Sequence, residues 1–200
     1  MPTIQHNVLT TSDLHEPKGV SSATEGMIYI ADGAGSGTWT HFPTGWGYYK
    51  DNGVDQVIGT SEVKLSIDSL GATTDETWLP TAIRGTGSLW NSTTDKIEPI
   101  LAGDTYDIRL DLPITAKSGT PTELDVQLDI GGTTSSTIVI LDRFLGTSKT
   151  PPYTFSIGFP IFCGTTFKTN GGQIFVKADA GTLTISKPAI TIVRNHSGDI

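Results

Sequence analysis

The stretch Tyr106-Asp107-Ile108-Arg109-Leu110-Asp111-Leu112 alternates apolar and charged residues without a break. Successive side chains of an extended strand leave on opposite faces, so this pattern sends one residue of each pair into a core and its neighbour toward water. A helix would scatter the same apolar groups around its axis. The period of two returns in Leu124-Asp125-Val126-Gln127-Leu128-Asp129-Ile130. It returns again where Tyr153, Phe155, Ile157, Phe159 and Ile161 alternate with Thr154, Ser156, Gly158 and Pro160. Shorter strand candidates are Gly45–Lys50, Val54–Ile58, Val63–Ile67, Ile97–Leu101, Thr137–Leu141, Gln173–Ala178, Thr182–Lys187 and Ala189–Val193.

Composition points the same way. Of 200 residues, 31 are threonine, 16 serine and 23 glycine, and the longest stretch free of glycine and proline, Thr3–Glu16, spans 14. Helices average about 11–12 residues and tolerate interior Gly and Pro poorly, whereas strands average about 5–6. A helical bundle and a doubly wound α/β enzyme are therefore disfavoured. Many short strands with frequent turn signals predict an all-β, jelly-roll-like antiparallel β-sandwich. An immunoglobulin-type sandwich is the rival, but Trp46, Trp78 and Trp90 lack the flanking cysteines that mark it. One short helix is expected, near Asp75–Leu79 or Leu141–Leu145.

The sandwich is expected over residues 45–200. Residues 1–44 read differently: their apolar content is little more than Ile4, Val8, Leu9, Leu14 and the run Met27-Ile28-Tyr29-Ile30, set among glycines. Such a segment cannot bury enough surface to offset its own ordering entropy. It is expected to be an extended arm, ordered by the main domain, by a copy of itself or by another protein.

Charge narrows the partners. The net charge is −8 and no two of the 13 Lys and Arg residues are adjacent, so there is no basic stripe for nucleic acid. The longest uncharged stretch, Thr150–Phe167, contains three prolines and alternates, which reads as sheet and not as a membrane span. The first cationic side chain is Lys18 and no apolar run precedes it, so no secretory leader is expected. The single cysteine, Cys163, cannot build an internal disulfide framework, and a reducing cytoplasm suits it.

Tests for chemistry yield little. The tract Ala31–Gly37 is glycine-rich but runs into Thr38-Trp39-Thr40, without the Lys-Ser/Thr pair and helix of a phosphate loop, and reads as a turn. His6, His15, His41 and His196 show no metal-ligand spacing, and no Gly-x-Ser-x-Gly elbow is present. Cys163, between Phe162 and Gly164, reads as a buried small hydrophobe. Asp51-Asn52-Gly53-Val54-Asp55 approaches a calcium loop only loosely. Asp107, Asp111, Asp125 and Asp129 could supply paired carboxylates for glycoside hydrolysis, but read better as a solvated acidic face. Trp39, Trp46, Trp78 and Trp90, with Tyr48 and Tyr49, could line a sugar platform, although aromatic residues more often fill cores or interfaces. No cofactor, metal or catalytic set is expected.

The most specific stretches lie in the arm. Thr10-Thr11-Ser12-Asp13-Leu14-His15-Glu16-Pro17-Lys18-Gly19-Val20 and Gly26-Met27-Ile28-Tyr29-Ile30-Ala31-Asp32-Gly33-Ala34-Gly35-Ser36-Gly37-Thr38-Trp39 resemble the N-terminal segment of tailed-bacteriophage virion proteins, of the head decoration (cement) and head-fibre type. The resemblance covers about 30 residues; the remainder matches in architecture only. It implies a structural, non-enzymatic protein on the capsid surface, assembled in the host cytoplasm as a homotrimer, which docks on the major capsid protein and displays its sandwich outward. The docking residues it points to are Asp13, Leu14, His15, Glu16, Pro17, Lys18, Met27, Ile28, Tyr29, Ile30 and Trp39. Similar segments also head tail-fibre and baseplate proteins, so the alternative it leaves open is an adhesin module binding host surface glycans.

Overall fold

The structure, a computed structural model, describes residues 23, 27–31, 34, 37–41, 44–79, 88–131, 138–145 and 149–196. Two compact units divide the chain, Met1–Phe42 and Pro43–Ile200. In the first, strands β1 (Met27–Ala31) and β2 (Gly37–His41) pair as an antiparallel hairpin.

The second unit carries the other strands: β3 (Gly45–Lys50), β4 (Gln56–Ile58), β5 (Val63–Lys64), β6 (Trp90–Asn91), β7 (Lys96–Ile97), β8 (Thr105–Ser118), β9 (Glu123–Asp129), β10 (Ile138–Leu145), β11 (Tyr153–Phe162), β12 (Gln173–Ala178), β13 (Thr182–Ile185) and β14 (Ala189–His196). They form a jelly-roll-type antiparallel sandwich. One sheet has the order β10-β9-β12-β5. The other has the order β3-β14-β8-β13-β4, with β11 on the remaining side of β8, and β6 and β7 form a small ribbon.

Strand β8 organises the larger sheet because its alternating run is long enough to serve three partners. Along one edge it pairs with β11 from Phe162↔Thr105 to Tyr153↔Ile114. Along the other it pairs first with β14, from His196↔Thr105 to Ala189↔Asp111, and then with β13 over residues 114–118. Its inward residues Tyr106, Ile108, Leu110, Leu112 and Ile114 are each at most 1% exposed. They share one core with Leu124, Val126 and Leu128 of β9, Ile174 and Val176 of β12, and Ile190 and Ile192 of β14. Each such side chain contributes about 1.5–3 kcal/mol relative to exposure.

Two details depart from the sequence expectations. Among the described residues the helix is α1 (Thr165–Asn170), whereas Asp75 bridges to Tyr48, residues 77–78 form a turn and Leu141–Leu145 belongs to β10. Six residues that bury only Phe167 make too short a segment to show helical periodicity. The expected solvated acidic face of β9 is also corrected: Gln127 is 5% and Asp129 3% exposed. Strand β9 lies between β10 and β12, and an interior strand is screened by its neighbours on both sides.

Alternation along β14 puts Arg194 on the same face as Ile190 and Ile192, so a charge points inward. Arg194 Nη2 lies 2.7 Å from Asp104 Oδ1 and Nε lies 2.9 Å from Oδ2, with the two side chains 3% and 0% exposed. Asp104 Oδ2 also accepts the Tyr106 hydroxyl at 2.6 Å and the Leu101 N–H at 3.0 Å, and the Tyr106 oxygen accepts the Ile100 N–H at 2.7 Å. The two-pronged contact gives the carboxylate the geometry that desolvation demands. A second tie holds the long connection after β5. There Tyr49 donates to Glu76 Oε1 at 2.5 Å and accepts the Leu89 N–H at 3.0 Å, while Trp90 Nε1 donates to the Ile67 carbonyl at 2.8 Å.

Removing one partner of a buried pair leaves an uncompensated charge. Arg194→Met should therefore lower the unfolding free energy by about 3–5 kcal/mol in chemical denaturation. Adding Asp104→Asn to that variant should recover a large part of the loss; additive losses would contradict the pairing.

Candidate functional site

Of the docking residues the resemblance points to, Met27, Ile28, Tyr29 and Ile30 form β1, and Trp39 lies on β2. Asp13, Leu14, His15, Glu16, Pro17 and Lys18 lie outside the described residues. The run Met27–Ile30 pairs with its own chain, in the register Ile28↔Thr40, Tyr29↔Trp39 and Ile30↔Thr38. The glycine-rich tract supplies the connection between the two strands. Tyr29 and Trp39 meet directly across the hairpin, ring centroids 5.3 Å apart and planes at 61°, an edge-to-face contact.

Gly37 closes the hairpin. A Cβ there would sit 2.8 Å from Tyr29 Cε1 and 2.9 Å from the Ile30 carbonyl carbon, so no larger residue fits without moving backbone. Met27, Ile28, Tyr29, Ile30 and Trp39 are all half-buried. An isolated two-stranded hairpin is marginally stable in water.

On the sandwich, the outer face of the larger sheet carries its functional groups in cross-strand rows. One row runs Gly158, Arg109, Thr191, Tyr48; the next runs Ser156, Asp111, Ala189, Lys50. Arg109 Nη2 and Nε approach Asp111 Oδ1 at 3.1 and 3.2 Å, and Ser156 Oγ donates to the same oxygen at 2.5 Å. Two hollows flank this contact. One, of about 260 Å³, is lined by Asp107, Arg109, Gly158, Pro160 and Val193. The other, of about 400 Å³, involves Tyr48, Lys50, Asp111 and Lys187. Phe162 on the same sheet is 65% exposed, and Trp78 is 61% exposed beside the start of β3, where its carbonyl accepts the Trp46 N–H at 3.4 Å.

The remaining candidates disperse. The tryptophans do not converge: Trp90 is a core residue, Trp39 is in the hairpin, Trp46 is half-buried on β3 and Trp78 is exposed. Asp107 and Asp111 leave the outer face of the larger sheet, whereas Asp125 and Asp129 belong to the other sheet, so these pairs do not share a groove. In the Asp51–Asp55 loop, the Asp51 oxygens accept the Gly53 and Asp68 N–H groups, and Asp68 Oδ1 accepts those of Asn52 and Leu70. These carboxylates build turns, and burial pushes the Asp51 carboxyl above its usual range. Among the described residues, no three His, Cys, Asp or Glu cluster as a metal would require, and no helix is long and apolar enough to cross a membrane.

Cys163 is fully buried where β11 ends. Its N–H donates to the Asp104 carbonyl at 2.8 Å, and its carbonyl accepts the Gly103 N–H at 2.7 Å. Burial first, and the nearby Asp104 charge second, push the thiol up to about 11.

A β-sandwich of jelly-roll type with a separate N-terminal hairpin is the class these features define. No family model matches the chain, and no curated protein matches it. Among solved structures the fold is similar to the PRD1 vertex protein P5, at 14% identity over 87% of this chain and 84% of that one, with a TM-score of 0.51. It also aligns with the Eiger TNF of S. frugiperda (12% identity, 78% and 95% of the two chains, TM-score 0.45). A third alignment is with a Bacillus endospore appendage structure (10%, 77% and 89%, TM-score 0.35).

Two outcomes are expected. Gly37→Val should abolish the nuclear Overhauser contacts between the Tyr29 and Trp39 rings while leaving the β8–β14 contacts intact; persistence of the ring contacts would contradict the packing described. The Cys163 thiol should resist iodoacetamide in the native protein near neutral pH and react once the protein is denatured.

Proposed function

We propose that the protein is a structural virion protein of the capsid-decoration (cement) type. In this reading the N-terminal unit binds the major capsid protein and the sandwich is displayed outward, reinforcing the head as a homotrimer. The observation that carries it is the division of labour along the chain. The sandwich has a complete core of its own, whereas the hairpin presents half-buried Met27, Ile28, Tyr29, Ile30 and Trp39 on two strands that lack the area to be stable alone.

Aromatic and aliphatic side chains of this kind serve as interface anchors, because they bring large apolar area at low entropic cost. A neighbouring capsid subunit is the surface that would complete them, by packing on the hairpin or by extending it as a further strand. The resemblance of residues 10–40 to the arms of head decoration and head-fibre proteins supports this assignment. So does the recurrence of the sandwich fold in a protein named as a virion vertex component. The reading places the protein on the capsid surface, after assembly in the host cytoplasm, with no catalytic role.

Deleting residues 1–42 should abolish co-sedimentation with capsids purified without the protein, while the near-ultraviolet circular dichroism of the sandwich persists. Binding retained by the truncated form would overturn the assignment. Sedimentation equilibrium of the full chain should give three times the 21.2 kDa chain mass.

A further inference from the structure

We propose that the hollow beside Lys50 and Lys187 on the outer face of the larger sheet binds a carboxylate-bearing sugar. It rests on the sandwich alone and stands whether or not the N-terminal unit docks on a capsid. Its volume, about 400 Å³, lies in the range of small-ligand sites and suits one or two sugar rings.

The chain carries a net −8, yet two lysines, Lys50 and Lys187, line this one hollow, and among the described residues neither is in an ion pair. The acidic side chain lining the hollow, Asp111, is already engaged by Arg109 at 3.1 Å and by Ser156 at 2.5 Å. Two lysines outside any ion pair among the described residues, beside a carboxylate already engaged by Arg109, favour an anion in the hollow.

The fold constrains the chain at both lysines. The Lys50 stem passes against Gly71, where a Cβ would meet Lys50 Cβ at 2.8 Å and Cγ at 2.9 Å; only a glycine leaves it that path. Lys187 adopts φ 50°, a left-handed conformation that is uncommon for a lysine. The bend is pinned on both sides: the Ser186 N–H donates to the Pro113 carbonyl at 2.9 Å, and the Pro188 carbonyl accepts the Asp51 N–H at 2.9 Å.

The rest of the lining distinguishes a sugar acid from a bare anion. Tyr48 lines the same hollow and offers a ring for the apolar face of a pyranose, and the Thr154 and Ser186 hydroxyls can both donate to and accept from ring hydroxyls. Inorganic sulfate or phosphate would use the lysines and leave the ring and hydroxyls idle.

The test is an NMR titration of the full chain with glucuronate and with N-acetylneuraminate, against glucose and inorganic sulfate. Saturable shifts are expected at Tyr48, Lys50 and residues 186–189 with at least one acidic sugar. Lys50→Gln or Lys187→Gln should weaken this binding about tenfold, the size of effect that follows from removing one charged hydrogen-bonding group. Lys50→Arg should preserve it, Tyr48→Leu should weaken the sugar but not sulfate, and Lys149→Gln should change nothing. Sulfate binding as tightly as either sugar acid, glucose binding equally well, or silence from both acidic sugars would each overturn the proposal.

Discussion

The sandwich depends on how one inward-pointing charge is accommodated. Strand β14 lies between β3 and β8, so its register sets the larger sheet, and Arg194 on its core face has a matched partner at Asp104, just before β8 begins. Buried ion pairs of this kind add little net stability over an apolar pair. What this one supplies is register. A slip of one residue would turn Arg194 to solvent and bring Val193 inward, leaving the buried Asp104 carboxylate without this cation. The cross-strand rows on the outer face, and hence the hollows between them, follow from that setting.

Much of this architecture was legible in the sequence, and the reason is physical. The runs at 106–112, 124–130 and 153–161 are amphipathic with period two because each strand faces one core, and they became β8, β9 and β11. Prediction failed where the pattern was not the governing constraint. Helix α1 is too short to express a 3.6-residue period. The outward side of β9 is polar in sequence yet buried, because burial there depends on which strands lie alongside, and strand order is not a local property. Arg194 follows an apolar run with nothing to mark it as buried, since its partner is 90 residues away.

The candidate sites divide along the same line. The apolar run at 27–30 and the glycine tract after it were visible as an anomaly among polar residues, but their pairing as a hairpin rests on Gly37, a detail of close approach. Tyr48 and Lys50 alternate on one short strand and so could have been assigned to a common face. Lys187 could not: it reaches them through a left-handed turn, 137 positions along the chain, and no spacing rule connects them. The tryptophans, the most conspicuous candidates in the sequence, separate into core, hairpin and surface because aromatic burial follows whatever packing is nearest.

The pairing of Arg194 with Gly45 across β14 and β3 also fixes where the sandwich meets the rest of any larger polypeptide. The strand that opens the fold and the strand that closes it run side by side, so entry and exit share one pole. The opposite pole is made of hairpin bends such as that around Gly119 and Gly181. The sandwich therefore behaves as a cassette whose two chain ends leave from one pole. It can be transplanted between carriers with both junctions on one side, while sequence drift or engineered insertions at the far bends leave its attachment untouched.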